Sequence, residues 1–383
     1  MFGRAIHLFT ILGFKVRIDP SWFLVAILVT WSFATLTFPT RLPELTPATY
    51  WLMGVAGALI YFLSVVLHEL AHSLAARRYG LEMRGITLFF FGGIAEMPNE
   101  PPTPLSEFVI AAAGPAASFV IALACGGAGL LGGSAGLPAP VTTVLLYLGF
   151  LNVALAVFNL VPAFPLDGGR ILRSILWGWK GSLRWATRVS SAIGAGFGFL
   201  LMVLGILLFL WGQIASGFWF FLLGLFVRNA AQASYQQLLL RRALEGEPVS
   251  RFMQADPVTV PRAISVEQLV QDYIYKHHFK MFPVVDDSGR LLGCVTTRQV
   301  RELPRDEWDQ QTVGALALRC GAENTVPPGA DAMEALSRMS RTGASRLMVV
   351  DGDRLLGILT LKDLLRFFSL KMELEQDGRP LAG

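Results

Sequence analysis

The chain changes character near Val227. Before it, apolar residues run in long blocks with short polar breaks; after it, they alternate with charged residues at strand and helix spacing. Six blocks, at about 20–38, 50–76, 106–131, 141–164, 189–211 and 216–235, reach the roughly 20 residues a helix needs to cross about 30 Å of hydrocarbon. An even number of crossings returns both ends to one side. Ile6–Ile18 alternates apolar and polar in part, which predicts a strand at the membrane surface. A cleaved leader is not expected there, because Lys15, Arg17 and Asp19 interrupt the run and no small-residue cleavage site follows.

Composition sharpens this division. Of 383 residues 53% are hydrophobic and 16% charged, where soluble domains carry about 25% charged residues. Residues 1–227 hold 12 basic and 8 acidic side chains, whereas residues 228–383 hold 20 of each. The net charge of +4 thus belongs to the apolar part and is read as topology, so no nucleic-acid partner is expected. Basic residues cluster before the first run, after the second and after the fourth, and only Arg41 falls in a loop on the other side. That distribution predicts a multi-pass protein of the cell membrane with both termini cytoplasmic. Cys125, Cys294 and Cys320 have neither paired nor metal-site spacing and read as structural. His7 reads as a surface residue.

Inside the second run stands His68-Glu69-Leu70-Ala71-His72. On a helix, positions i and i+4 share a face, so both imidazoles can reach one Zn²⁺ while Glu69, at the neighbouring edge, can accept a proton from an attacking water. Ionisable groups within an apolar helix are costly in lipid and mark a functional interior. A catalytic zinc takes three protein ligands. Two carboxylates compete for the third place: Glu96, beside Phe91-Gly92-Gly93 and Pro98, and Asp167, where Pro162, Pro165, Gly168 and Gly169 break the helix. Because the second and fourth runs point the same way, His72 and Asp167 come to similar depth, which favours Asp167.

These pieces resemble the site-2 protease type of intramembrane zinc metalloproteases, in its six-span members with C-terminal CBS domains. The matching residues are HELAH at 68–72, FFFGGIAEM at 89–97, Gly114-Pro115-Ala116-Ala117-Ser118, the Asn159–Gly168 segment and IDPSW at 18–22. The resemblance implies one Zn²⁺ per chain held by His68, His72 and Asp167, Glu69 as general base, Asn159 beside the site, and Phe91, Gly92 and Gly93 in substrate seating. A transmembrane substrate must unwind before its carbonyls become available, and the Ile86–Ala95 stretch is expected to offer it a strand edge. Asn152 and Asn159, on one helical face, are candidate oxyanion donors or helix-bridging residues. Gly114, Ser118, Gly194, Gly196, Gly198 and Gly205 read as close-packing positions.

The soluble part repeats itself. Phe282-Pro-Val-Val-Asp286 and Arg290-Leu-Leu-Gly293 return as Leu347-Met-Val-Val-Asp351 and Arg354-Leu-Leu-Gly357, each copy read as strand, helix, two-strand hairpin and helix. This resembles a tandem CBS pair, which implies ATP, ADP or AMP in the cleft between copies and a homodimer through the pair. Thr360-Leu-Lys-Asp363 matches the ribose-binding pattern of that family, whereas Thr296-Thr-Arg-Gln299 lacks the acid, so at most one complete nucleotide site is expected. His277 and His278 read as a solvated basic edge.

The expected fold is a polytopic α-helical membrane protein with six transmembrane helices and short membrane-surface strands, plus a cytoplasmic α/β tandem CBS domain. Its parts are a protease domain at 1–235, a linker at 236–248, CBS copies at 249–305 and 306–370, and a tail at 371–383. The expected function is hydrolysis of peptide bonds in membrane-spanning substrates, modulated by nucleotide. A CBS-regulated transporter or channel would distribute ionisable residues along several spans, but here they gather at 68–72 and Asp167. An inactive binding homologue would have lost Glu69 or a ligand, and none is lost.

Overall fold

The computed structural model describes residues 5–83, 85–90, 92–95, 100–286, 288–321 and 323–376. It divides into one unit of residues 1–236 and a second of residues 237–383.

In the first unit, six helices among the described residues are long and apolar enough to cross a membrane. The first span joins α1 (Ser21–Ser32), a π-helical turn (Phe33–Thr37) and α2 (Phe38–Arg41). The others are α3 (Pro47–Arg78), α4 (Pro104–Ser134), α5 (Ala139–Asn159), α7 (Leu183–Leu210) and α8 (Ile214–Leu244). A shorter helix, α6 (Asp167–Lys180), lies between α5 and α7. The fourth span ends at Asn159 rather than at 164, because two prolines end the helical ladder just beyond it. Outward faces of the spans are studded with exposed Leu, Phe, Val and Ile, as lipid contact requires.

A four-stranded sheet accompanies the helices in the order β1 (Ile6–Ile11), β2 (Phe14–Ile18), β3 (Ile86–Phe89), β4 (Gly92–Ala95). β1 and β2 form an antiparallel hairpin, β2 and β3 are parallel, and β3 and β4 antiparallel. Alternation buries Phe14, Val16 and Ile18 on one face of β2. Phe14, Val16, Ile86 and Leu88 pack on Val65, Val66 and Leu70 of α3, the residues flanking His68. The motif helix and the sheet are therefore one packed body, with β4 as an edge strand.

Small residues set the helix crossings. A Cβ at Gly54 would lie 3.0 Å from the Thr30 carbonyl, and one at Gly149 would lie 3.0 Å from the Gly126 nitrogen. Gly198 and Gly205 abut the α8 backbone, as expected of packing glycines, whereas Gly196 faces open space. Gly194 does something else: a Cβ there would collide with the Phe164 carbonyl, so it seats the loop that leads to Asp167.

A buried ion pair pins α6. Arg173 donates through Nε to Glu107 Oε1 at 2.6 Å and through Nη2 to the same carboxylate, and it reaches Glu100 at 3.2 Å. Its guanidinium also lies 5.1 Å from the centre of the Phe164 ring. Glu107 is fully buried, so removing either partner would strand a charge at a cost of about 3–5 kcal/mol.

In the second unit the duplication is visible as two four-stranded sheets, ordered β6-β7-β8-β9 and β10-β11-β12-β5. The strands are β5 (Gln254–Ala255), β6 (Val260–Pro261), β7 (Met281–Val285), β8 (Leu291–Thr296), β9 (Leu318–Arg319), β10 (Thr325–Val326), β11 (Arg346–Asp351) and β12 (Arg354–Thr360). Helices α9 (Val266–Gln268), α10 (Tyr275–His277), α11 (Thr297–Glu302), α12 (Val313–Leu316), α13 (Ala332–Thr342) and α14 (Leu361–Gln376) complete the copies. Each sheet takes its edge strand from the other copy's side of the chain: β5 pairs with β12, and β9 with β8. A bulge recurs at Val284/Val285 and Val349/Val350, so the repeat holds in geometry as well as in sequence. The stretch 236–248, expected as a linker, consists mostly of the last turns of α8, and Leu244 is fully buried in the core around Leu347, Val349 and Leu359.

Candidate metal centre and nucleotide cleft

Helical periodicity places His68 and His72 one turn apart on α3, facing α4 and the start of α6. Asp167 begins α6, where the chain returns after the proline-rich turn. Its Oδ2 lies 3.1 Å from His68 Nε2 and 3.2 Å from His72 Nε2, and the two Nε2 atoms are 3.2 Å apart. His68, His72 and Asp167 are the one cluster among the described residues whose ligand atoms converge in this way. Ligand atoms about 2.0–2.1 Å from a tetrahedral zinc stand about 3.3 Å from one another, so the triangle has the size that zinc requires.

The far side of each ring fixes its chemistry. His72 Nδ1 is 2.6 Å from the Ile110 carbonyl, which can only accept, so Nδ1 carries the hydrogen and Nε2 of the neutral ring is a bare acceptor. His68 Nδ1 is 2.8 Å from Ser118 Oγ. His72 Nε2 and the Asp167 carboxylate are then both acceptors at 3.2 Å, a pairing that a cation between them relieves. The donor set therefore fits zinc.

Two residues read as packing positions belong to this centre. Ser118 is the outer partner of His68, and Gly114 is where α4 meets both imidazoles: a Cβ there would collide with His72 Nε2 and lie 2.6 Å from His68 Nε2. Pro115 follows at once and cannot donate to the Ala111 carbonyl, the neighbour of the Ile110 carbonyl that accepts from His72. The spacing Gly114-x-x-x-Ser118 was a signal for close approach, but nothing in it said that imidazoles were what approached.

Glu69 stands at the neighbouring helical edge, against β4. A Cβ at Gly93 would lie 2.5 Å from Glu69 Cγ and 3.1 Å from its Oε1, so only a glycine lets the strand pass the carboxylate. Gly92 and Gly93 thus lie in the edge strand beside Glu69, while Phe91 and Glu96 lie outside the described residues. The two asparagines are engaged elsewhere. Asn152 donates to Ser64 Oγ at 3.3 Å and to the Leu148 carbonyl at 2.9 Å, bridging α5 to α3, and Asn159 donates to the Leu155 carbonyl of its own helix at 3.0 Å. The Glu107–Arg173 pair was missed in the sequence. The signal for it was a lone carboxylate within the third apolar run.

In the second unit, Thr360 and Asp363 line a cavity of about 900 Å³ with Gln254, Arg346, Lys362 and Arg366. Asp363 accepts from the Thr360 hydroxyl at 2.5 Å and from Gln254 Nε2 at 3.1 Å, and the Thr360 hydroxyl accepts from the Asp363 amide at 3.2 Å. The first copy has the same reciprocal cap with Gln299, whose Nε2 donates to the Leu316 carbonyl at 2.5 Å. Burial pushes the Cys320 thiol up to about 11, with nearby Cys294 adding to the shift.

Similarity to known proteins covers both units. The profile of Peptidase family M50 matches residues 56–137 and 134–205, and that of the CBS domain matches 249–306 and 323–370. Zinc metalloprotease MJ0392 of Methanocaldococcus jannaschii is 30% identical over 378 residues, covering 97% of this chain and 98% of that protein. The Synechocystis sp. protein sll0528 is 34% identical over 349 residues, 91% of each chain. The solved site-2 protease from Methanocaldococcus jannaschii aligns with 29% identity over 60% of this chain and 95% of that one, at a TM-score of 0.42. With helices long enough to span a bilayer six times and a full-length relative at this identity, the chain belongs to peptidase family M50, as a multi-pass zinc metalloendopeptidase of the site-2 protease type with a C-terminal CBS pair.

Proposed function

We propose that His68, His72 and Asp167 hold the zinc and that Glu69 is the general base for hydrolysis of a peptide bond in a membrane-spanning substrate. The observation that carries this reading is the convergence of two Nε2 atoms and one carboxylate oxygen within 3.1–3.2 Å. When bound, zinc supplies Lewis acidity to the scissile carbonyl and the attacking water. Glu69 accepts the water's proton and returns it to the departing amine nitrogen as the C–N bond breaks. The Ile110 carbonyl holds His72 in the tautomer that leaves Nε2 free, and Ser118 Oγ orients the His68 ring from its Nδ1 side. The substrate, unwound locally, adds as a strand to the free edge of β4 at Gly92 and Gly93, which brings its backbone past Glu69. Asn152 and Asn159, both engaged with backbone or Ser64, serve helix bridging in this reading.

The positive-inside distribution of Arg and Lys supports a topology with both termini and the cleavage site on the cytoplasmic side of the cell membrane. The cleft at Thr360 and Asp363 takes one adenine nucleotide, with Lys362 and Arg366 at hand for its phosphates, and the same pair of repeats joins two copies of the chain. Calorimetric titration of the full chain with ATP, ADP and AMP, and light scattering in detergent, test these two points. Reconstitution in liposomes with a single-span substrate tests the core of the proposal. Glu69→Gln should abolish cleavage while zinc content persists; equal cleavage by both proteins would remove Glu69 from the mechanism.

A further inference from the structure

Two arginines follow Asp167 along α6, at the i+3 and i+6 positions. Arg173 is held by Glu107 and Glu100 through its Nε and Nη2. Arg170 differs: its guanidinium makes no hydrogen bond, ion pair or ring contact among the described residues, and its Nη2 is buried. A buried donor on a charged group without a partner is expensive and marks a place where a ligand or solvent completes the bonding. Arg170 lies within Coulombic reach of Glu69 on one side and of Glu107 on the other. Being three residues beyond Asp167, it projects from nearly the same helical face, with Cβ atoms about 5–6 Å apart, so its longer side chain can reach past the carboxylate to a substrate held there.

The reaction needs such a donor. As water adds, the carbonyl π electrons move onto oxygen, and a positioned donor at that oxygen stabilises the developing charge. Asn152 has both amide donors engaged and Arg173 is held by two carboxylates, Asn159 spends one of its two amide donors on the Leu155 carbonyl of its own helix, and the spare indole nitrogen of Trp22 is walled by Phe23 and Phe62. We propose that Arg170 is a catalytic residue whose spare Nη2 donates to the scissile carbonyl oxygen as it becomes negative. Arg170 keeps its proton throughout; Glu69 alone moves one, from water to the leaving nitrogen. This role rests on the zinc-peptidase reading above.

The probe is a peptidyl phosphinate of substrate sequence, an anionic tetrahedral mimic, titrated into the full-length zinc-loaded protein in detergent beside the uncleaved peptide. Arg170→Gln should lose about 10²–10³ in kcat with KM nearly unchanged. Phosphinate affinity should fall by a similar factor, while peptide affinity, zinc content and thermal midpoint hold. Arg170→Lys, which keeps charge at a single donor, should recover part of the phosphinate affinity and serves if the glutamine variant does not fold. Equal phosphinate affinity in the wild type and Arg170→Gln, or parallel losses of phosphinate and peptide binding in either variant, would overturn the role of Arg170. Failure of the wild type itself to bind the phosphinate would overturn the zinc-peptidase reading along with it.

Discussion

Asp167 and Asp363 occupy comparable places in the two units, each in the first turn of a helix, Asp167 in the cluster of possible metal ligands and Asp363 in the wall of a cavity. Their neighbours make them different. Around Asp363 stand donors, the Thr360 hydroxyl and amide and Gln254 Nε2, so the carboxylate is largely satisfied within its own fold. Around Asp167 stand two imidazole nitrogens, one of them held as a bare acceptor by the Ile110 carbonyl. An acid among donors is a helix cap that a ligand can share; an acid among acceptors needs a cation.

Exchanging each acid for its amide gives the widest separation of the two sites. Asp167→Asn should reduce bound zinc well below one per chain and bring cleavage to background, because an amide cannot supply the anionic ligand. Elemental analysis beside an activity assay reads both. Next in size is Gly114→Ala, whose methyl must displace an imidazole or the helix. It should cost most of the zinc affinity while leaving nucleotide binding by the second unit unchanged. Ser118→Ala removes only the outer partner of His68, so about a 10–100-fold loss in zinc affinity or activity is expected, measured by chelator competition. Asp363→Asn keeps the cap geometry and should weaken adenine nucleotide binding by about tenfold or less, the scale of one hydrogen bond of about 1.4 kcal/mol, with zinc content unaffected.

The smallest effect concerns reactivity. With the Cys320 thiol held at about 11, the reactive thiolate is a small fraction at neutral pH and rises as pH approaches that value. Iodoacetamide labelling of the folded chain should therefore be slow at pH 7.5 and accelerate toward pH 10, whereas urea-unfolded chain should label readily at pH 8.5. Fast labelling of the folded chain at neutral pH would contradict the burial assigned to this cysteine.

Much of the membrane unit is legible in one dimension. Spans follow from apolar length, and His68 and His72 from the helical repeat, because both depend on neighbours a few residues away. The duplication at 282–296 and 347–360 was equally plain, but the exchange of β5 and β9 between the sheets was not: strands of two residues carry too little periodicity to name a partner. Asn152 could have faced substrate or helix, and its contact with Ser64 on α3, 88 positions away, is one that no local pattern announces.

Sequence by itself determined the chemistry available to this protein: which ligands exist, which residue can move a proton, and which segments must lie in lipid. Tertiary structure alone decided which polar groups are already engaged and which are left over. Ser118 meets His68 across 50 positions and Glu107 meets Arg173 across 66, separations at which local pattern carries no information. The same folding leaves Arg170 Nη2 without a hydrogen-bond partner among the described residues. Whether a donor is spare depends on every atom packed around it, and that is a property of three-dimensional contact.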